Sequence, residues 1–201
     1  HAVGAGVTTG NFNIAIGYAA GQQIDGGAGN TFVGGSSGLG LQEGDNNVAI
    51  GLNAFDAAID TESDNVAIGA HAMGACDQGS HADANIQDNV AIGSNALLGG
   101  DFGSSNKNAV QNVAIGYAAM DGTGTNDASD NVMIGNGAGG GSWAAESNGN
   151  IAIGSGAMVG ALETHSAIAI GGSALAALTS GARNMAIGKD AGLGIVDSDD
   201  M

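Results

Sequence analysis

Four histidines, one cysteine and twenty acidic side chains are the groups in this sequence able to bind a metal or move a proton. The histidines, His1, His71, His81 and His165, are scattered. Only His71, Cys76, Asp77 and His81 fall within one stretch, and they lack the second cysteine and the spacing of a zinc site, so a solvated loop is the expected reading. Four acids, Asp45, Asp64, Asp88 and Asp130, stand one or two residues before a repeated asparagine. Stacked repeats would bring such carboxylates together, and a calcium ion would relieve their repulsion. The Gly-Gly-x-Gly-x-Asp nonapeptide of calcium-binding β-rolls is missing, so a solvated acidic rim is expected, with structural calcium as the alternative and no cofactor. No nucleophile elbow, phosphate loop or dinucleotide fingerprint occurs. The chain is therefore not expected to be an enzyme. Tyr18 and Tyr117 follow turn glycines and Trp143 lies in a loop, which makes these three the candidate contacts to a receptor or glycan.

The elements that must position these groups are repeats. Asn-Val-Ala-Ile-Gly stands unaltered at 47–51, 65–69, 89–93 and 112–116, and variants at 13–17, 30–34, 131–135, 150–154, 167–171 and 184–188 bring the total to ten. The motif glycines are 17, 17, 18, 24, 23, 19, 19, 17 and 17 residues apart. A period of this size marks stacked units rather than a globular core. The expectation is an all-β fold, a parallel β-solenoid of about ten coils in a single repeat domain spanning 1–201. It divides into a partial coil over 1–10, motif coils over 11–191 and an acidic segment over 192–201. Each repeat reads as strand, turn, strand and loop. The motif asparagine is expected to stack on its counterparts above and below.

Composition supports thin rungs. Glycine numbers 39, proline is absent and aromatics make up 3%. Hydrophobic content of 43% with regular Val and Ile excludes disorder, and the absence of a three-residue glycine period excludes collagen. Three basic residues against twenty acids give a formal charge of −17, which argues against phosphate backbones and anionic membranes as partners. No apolar run reaches the ~18 residues of a membrane span, so this segment is not expected to insert in a bilayer. The chain opens at His1 rather than Met, which predicts a processed or excised piece.

Within the motif, alternation puts Val and Ile on one face and Ala on the other. One coil cannot bury enough apolar surface to offset the entropy of ordering it, so neighbouring coils and sister subunits are needed. The column Ala15, Ala49, Ala67, Ala91, Ala114, Ala152, Ala169 and Ala186 is small enough to let another backbone approach, and it is expected to line the axis of self-association. Phe32 and Met133 interrupt it as bulky plugs.

Asn-Val-Ala-Ile-Gly-x-x-Ala with Gly/Asn-rich connections resembles the YadA-like head repeats of trimeric autotransporter adhesins, and is similar to repeats of trimeric phage tail fibres and other surface fibres. The resemblance covers residues 11–191, although the family's repeat is usually shorter. It implies a left-handed β-roll, a homotrimer wound about one axis, and an extracellular location on a cell surface or virion fibre. The function it implies is a structural and adhesive segment displaying loops to a host receptor or surface glycan. Alternatives are a phage tail-fibre shaft that binds or cleaves polysaccharide at subunit boundaries and, lower in rank, an ice-binding solenoid, which would need a regular array of threonine. End-to-end assembly into a longer fibre is a further expectation.

Overall fold

The computed structural model describes residues 10–58, 60–76, 85–99, 108–124, 126–143, 146–160 and 163–199. Those residues hold no helix. Their strands are β1 (Ile14–Ile16), β2 (Thr31–Val33), β3 (Val48–Ile50), β4 (Val66–Ile68), β5 (Asn85–Gln87), β6 (Val90–Ile92), β7 (Asn108–Val110), β8 (Val113–Ile115), β9 (Ala128–Ser129), β10 (Val132–Ile134), β11 (Ile151–Ile153), β12 (Glu163–His165), β13 (Ile168–Ile170), β14 (Ser180–Ala182) and β15 (Met185–Ile187). The motif strands β1, β2, β3, β4, β6, β8, β10, β11, β13 and β15 form one ten-stranded parallel sheet in that order. Every pairing matches motif position to motif position, as in Val48↔Val66, Ala49↔Ala67 and Ile50↔Ile68. The architecture is a parallel β-solenoid.

The glycine that ends each motif strand is required by two facts. Its φ lies between 127 and 142° in all ten copies, where a side chain is strained. A β-carbon on Gly116 would also sit 2.4 Å from the carbonyl oxygen of Gly135 in the next rung. The glycine column is thus where consecutive coils pass backbone against backbone.

After that glycine the expected second strand is instead a run of turns. The residue two beyond it is left-handed throughout, for example Asn53 at φ 52° and His71 at φ 57°. So is the residue four beyond it, for example Phe55 at φ 54° and Met120 at φ 56°. Two left-handed residues this close preclude an extended segment. Additional strands occur elsewhere. The stretches before the motif in the longer middle coils pair as β5, β7 and β9, and β12 pairs with β14.

The interior inverts the expected faces of the motif strand. Ala49, Ala67, Ala91, Ala114, Ala152 and Ala169 are wholly buried inside the single chain, with Ala186 nearly so and Ala15 half-buried. An alanine enclosed by its own coil cannot line an axis between copies. The physical reason is volume: between the strand and the turn that faces it there is room for one large side chain, not two, other buried large residues such as Leu41 and Trp143 being carried farther round the coil.

That chain comes from one wall or the other. Six coils pair a small strand residue with a large one four residues beyond the motif glycine: Ala49 with Phe55, Ala67 with Met73, Ala91 with Leu97, Ala114 with Met120, Ala152 with Met158 and Ala169 with Leu175. Two further coils reverse the sizes, pairing Phe32 with Gly38 and Met133 with Gly139, and the two end coils pair small with small, Ala15 with Gly21 and Ala186 with Gly192. A β-carbon on Gly38 would meet the Phe32 ring at 2.6 Å, and one on Gly139 would meet Met133 Sδ at 2.6 Å. Phe32 and Met133 are plugs as expected, but of the coil interior.

Candidate functional site

Val and Ile at the first and third strand positions point outward. They form two columns on one face of the ten-stranded sheet, from Ile14 to Met185 and from Ile16 to Ile187. Most are half-buried against their neighbours above and below. Ile50, Ile92 and Ile153 remain 36–38% exposed in the body of the sheet, and Ile187 at its edge is 65% exposed. Nineteen of these twenty outward positions are Val, Ile or Met, the exception being Thr31. A strand face turned to water ordinarily alternates to polar residues. At the usual strand spacing the face is roughly 10 Å wide and 45 Å long.

The buried edge of this sheet is polar and fully ordered. Each motif asparagine accepts from the next through Oδ1, as in Asn89 Nδ2 to Asn65 Oδ1 at 3.0 Å and Asn112 Nδ2 to Asn89 Oδ1 at 3.0 Å. The ladder runs from Asn30 through Asn47, Asn65, Asn89, Asn112 and Asn131 to Asn150. Each Nδ2 also ties in a backbone carbonyl, such as that of Ala128 for Asn112 at 2.6 Å. The ladder ends at Ala167, whose N–H still donates to Asn150 Oδ1 at 3.0 Å.

The aromatic candidates separate. Tyr18 is 82% exposed and Tyr117 57% exposed. They occupy the same position after a motif glycine, five rungs apart, or roughly 24 Å. That distance leaves each tyrosine as a separate contact rather than part of one aromatic platform. Trp143 is buried, and its indole Nε1 donates to Gly139 O at 2.9 Å. It fills the coil interior beside the Met133 plug's glycine and offers no stacking surface to a sugar.

The acids have local duties. Asp64, Asp88 and Asp130 all sit at the corner before the motif asparagine, with φ of 57–60°. This corner is left-handed in every rung, from Phe12 to Arg183, and Asn, Asp and Gly are the residues that tolerate it best. The acidic column therefore has a conformational cause, a signal the composition carried and the charge reading missed. Asp45 Oδ1 accepts from Ala28 N–H at 2.7 Å and Asp127 Oδ1 from Asn108 N–H at 2.6 Å, so these carboxylates also tie rung to rung. Burial raises the carboxyl pKa of Asp56 above its ordinary value, against opposing effects of a backbone hydrogen bond and of His71. Burial raises Asp121 as well, again against a backbone hydrogen bond.

Among the described residues no three His, Cys, Asp or Glu side chains converge as metal ligands. Cys76 is buried with its thiol directed at Leu97 O, 3.3 Å away. Asp77 and His81 lie outside the described residues. Near the C-terminal end, Glu163 and His165 face Asp197 and Asp199 across a floor of Ser180, Gly181 and Ala182, in an open groove of about 380 Å³. Asp199 Oδ1 is engaged by Ala182 N–H at 2.7 Å. No helix among the described residues is long and apolar enough to cross a membrane.

No protein-family model matches the chain, and neither a curated protein nor a solved structure matches it.

Proposed function

We propose that this chain is a structural and adhesive segment of an extracellular fibre, in which copies associate side by side through the outward Val/Ile face and display their loops to a receptor or surface glycan. The observation that carries the reading is the pair of outward columns, nineteen apolar residues in twenty, on one face of the ten-stranded sheet. A second copy is the occupant that fits it, because a partner built on the same rung spacing presents the same columns at the same interval. The sister chains earlier expected along the alanine column are thus assigned to the opposite face of the same strands. Three copies and left-handed coiling follow from the resemblance to YadA-like head repeats. Tyr18 and Tyr117 remain the exposed aromatic candidates for contact with a partner molecule. Repetition of weak contacts on a stiff support lets affinity accumulate without any one strong site.

A phage tail-fibre shaft that binds or cleaves polysaccharide at subunit boundaries is the alternative, and it would use the same side-by-side association. Ice binding ranks lower, since the outward columns hold one threonine, Thr31. Sedimentation equilibrium of the segment tests the reading: an oligomer is expected, and a compact monomer at tens of micromolar would overturn it.

A further inference from the structure

Two Asn-Gly pairs occur in the sequence, Asn136-Gly137 and Asn148-Gly149. In such a pair no side chain hinders the glycine nitrogen from attacking the asparagine amide. We infer that Asn136 is a site of spontaneous covalent modification, converting to aspartate and isoaspartate in the folded protein, and that Asn148 is protected from it. The reaction is independent of the association proposed above; only its effect on a partner at Tyr117 rests on that reading.

The chemistry needs water alone. The backbone nitrogen of Gly137 bonds to Cγ of Asn136, and the side-chain nitrogen departs as ammonia, carrying away the glycine amide proton. Water then opens the cyclic imide. Cleavage between nitrogen and Cγ gives aspartate. Cleavage between nitrogen and the main-chain carbonyl carbon gives isoaspartate, which routes the backbone through an extra methylene. Either product carries a new carboxylate.

Main-chain restraint does not separate the two sites. Gly137 N–H donates to Tyr117 O and Gly156 N–H to Asn136 O, both at 2.9 Å, while Gly149 N–H donates to Ser129 O and Ser166 N–H to Asn148 O, both at 3.0 Å. The side chains do separate them. Asn136 is exposed, and among the described residues its amide has no hydrogen-bond partner. Asn148 is half-buried, and its Oδ1 accepts from Ser129 N–H at 2.8 Å. Bringing Asn148 Cγ to the glycine nitrogen breaks that bond and leaves Ser129 N–H without its acceptor, which slows the reaction by about tenfold. Asn136 also stands between two glycines, Gly135 and Gly137, and a β-carbon on Gly137 would meet nothing within 4 Å, so the backbone there has room to turn. Tyr117 takes the same place in the preceding rung, so the new carboxylate arises about 4.8 Å along the column from an exposed aromatic.

The test incubates the folded protein in mildly alkaline buffer and follows both sites by peptide mapping, with electron-transfer fragmentation to tell isoaspartate from aspartate. Asn136 is expected to convert about tenfold faster than Asn148. Asn136→Gln should abolish the signal at that site, because the longer side chain closes a less favourable ring. In protein unfolded by urea the two asparagines are expected to convert at similar rates. Asn148 keeping pace with Asn136 in the folded protein, or Asn136 remaining intact there, overturns the assignment. A difference that persists in urea traces the contrast to the neighbouring residues and overturns its structural cause. None of these outcomes bears on sedimentation, so a failure here leaves the side-by-side association standing.

Discussion

Asn89 shows what a motif asparagine does at the scale of one residue. Its Oδ1 accepts from both the backbone N–H and Nδ2 of Asn112, while its own Nδ2 donates to Asn65 Oδ1 and to Ala109 O. Truncating one member strands buried groups on two neighbours at once. Asn112→Ala is therefore expected to lower stability by about 2–4 kcal/mol in urea titration, from more than one buried polar group left unpaired. The reverse change is available at Ala167, where the ladder stops: Ala167→Asn should raise stability by about 1 kcal/mol by extending the ladder toward Asn184. Gly116→Ala combines φ of 135° with a backbone clash, and a loss of about 3 kcal/mol or more is expected. Asp121 gives a pH signature. Its carboxyl pKa is raised above 3.8 in the folded chain, so its contribution favours folding below 3.8 and is lost as pH rises through the folded value. Asp121→Asn should accordingly flatten that part of the stability profile and increase stability at neutral pH.

At the scale of one coil, the reciprocal sizes of facing residues make a sharper prediction than either residue alone. Met133→Ala leaves two small residues facing each other in one rung and should cost about 2–5 kcal/mol. Gly139 is already left-handed at φ 61°, the conformation that Met120 and Met158 adopt at the same position in their coils. Adding Gly139→Met to Met133→Ala converts the rung to the commoner arrangement and should recover about half of the loss or more. The double-mutant cycle should thus report a coupling above about 1 kcal/mol, whereas the same pair of changes placed in different coils should be additive. Gly139→Met alone should be destabilising, because the Met133 side chain occupies the space its β-carbon needs.

At the scale of the whole molecule, the outward columns and the charge act against each other. Copies bearing a formal −17 repel, and apolar strips attract. Association should strengthen between about 10 mM and 0.5 M salt as repulsion is screened. Ile115 lies half-buried in the middle of its column. Ile115→Asp is expected to shift the sedimentation of the protein to monomer while its β-rich circular dichroism is kept, because the side chain touches the outer face and not the coil interior. If instead Ile115→Asp unfolds the protein and Ala114→Ser frees monomers, the faces would be assigned the wrong way round.

Period, strand position and parallel stacking were determined by the sequence alone. Asn, Ala, Ile and Gly recurring at matching places can be satisfied only if like meets like in the next rung, and that holds whatever the coil's cross-section. The asparagine ladder was legible for the same reason. Which side of the strand faced inward was not, since alternation defines two faces without saying which one encloses the core. The tertiary structure decided it by volume, as turns at left-handed corners bring the walls close enough that Ala49 must oppose Phe55 and Gly38 must oppose Phe32. The same closure drew Trp143 inside and left Tyr18 and Tyr117 outside. It also turned the branched residues outward, because the strand and the turn facing it leave room for no more than one large side chain between them.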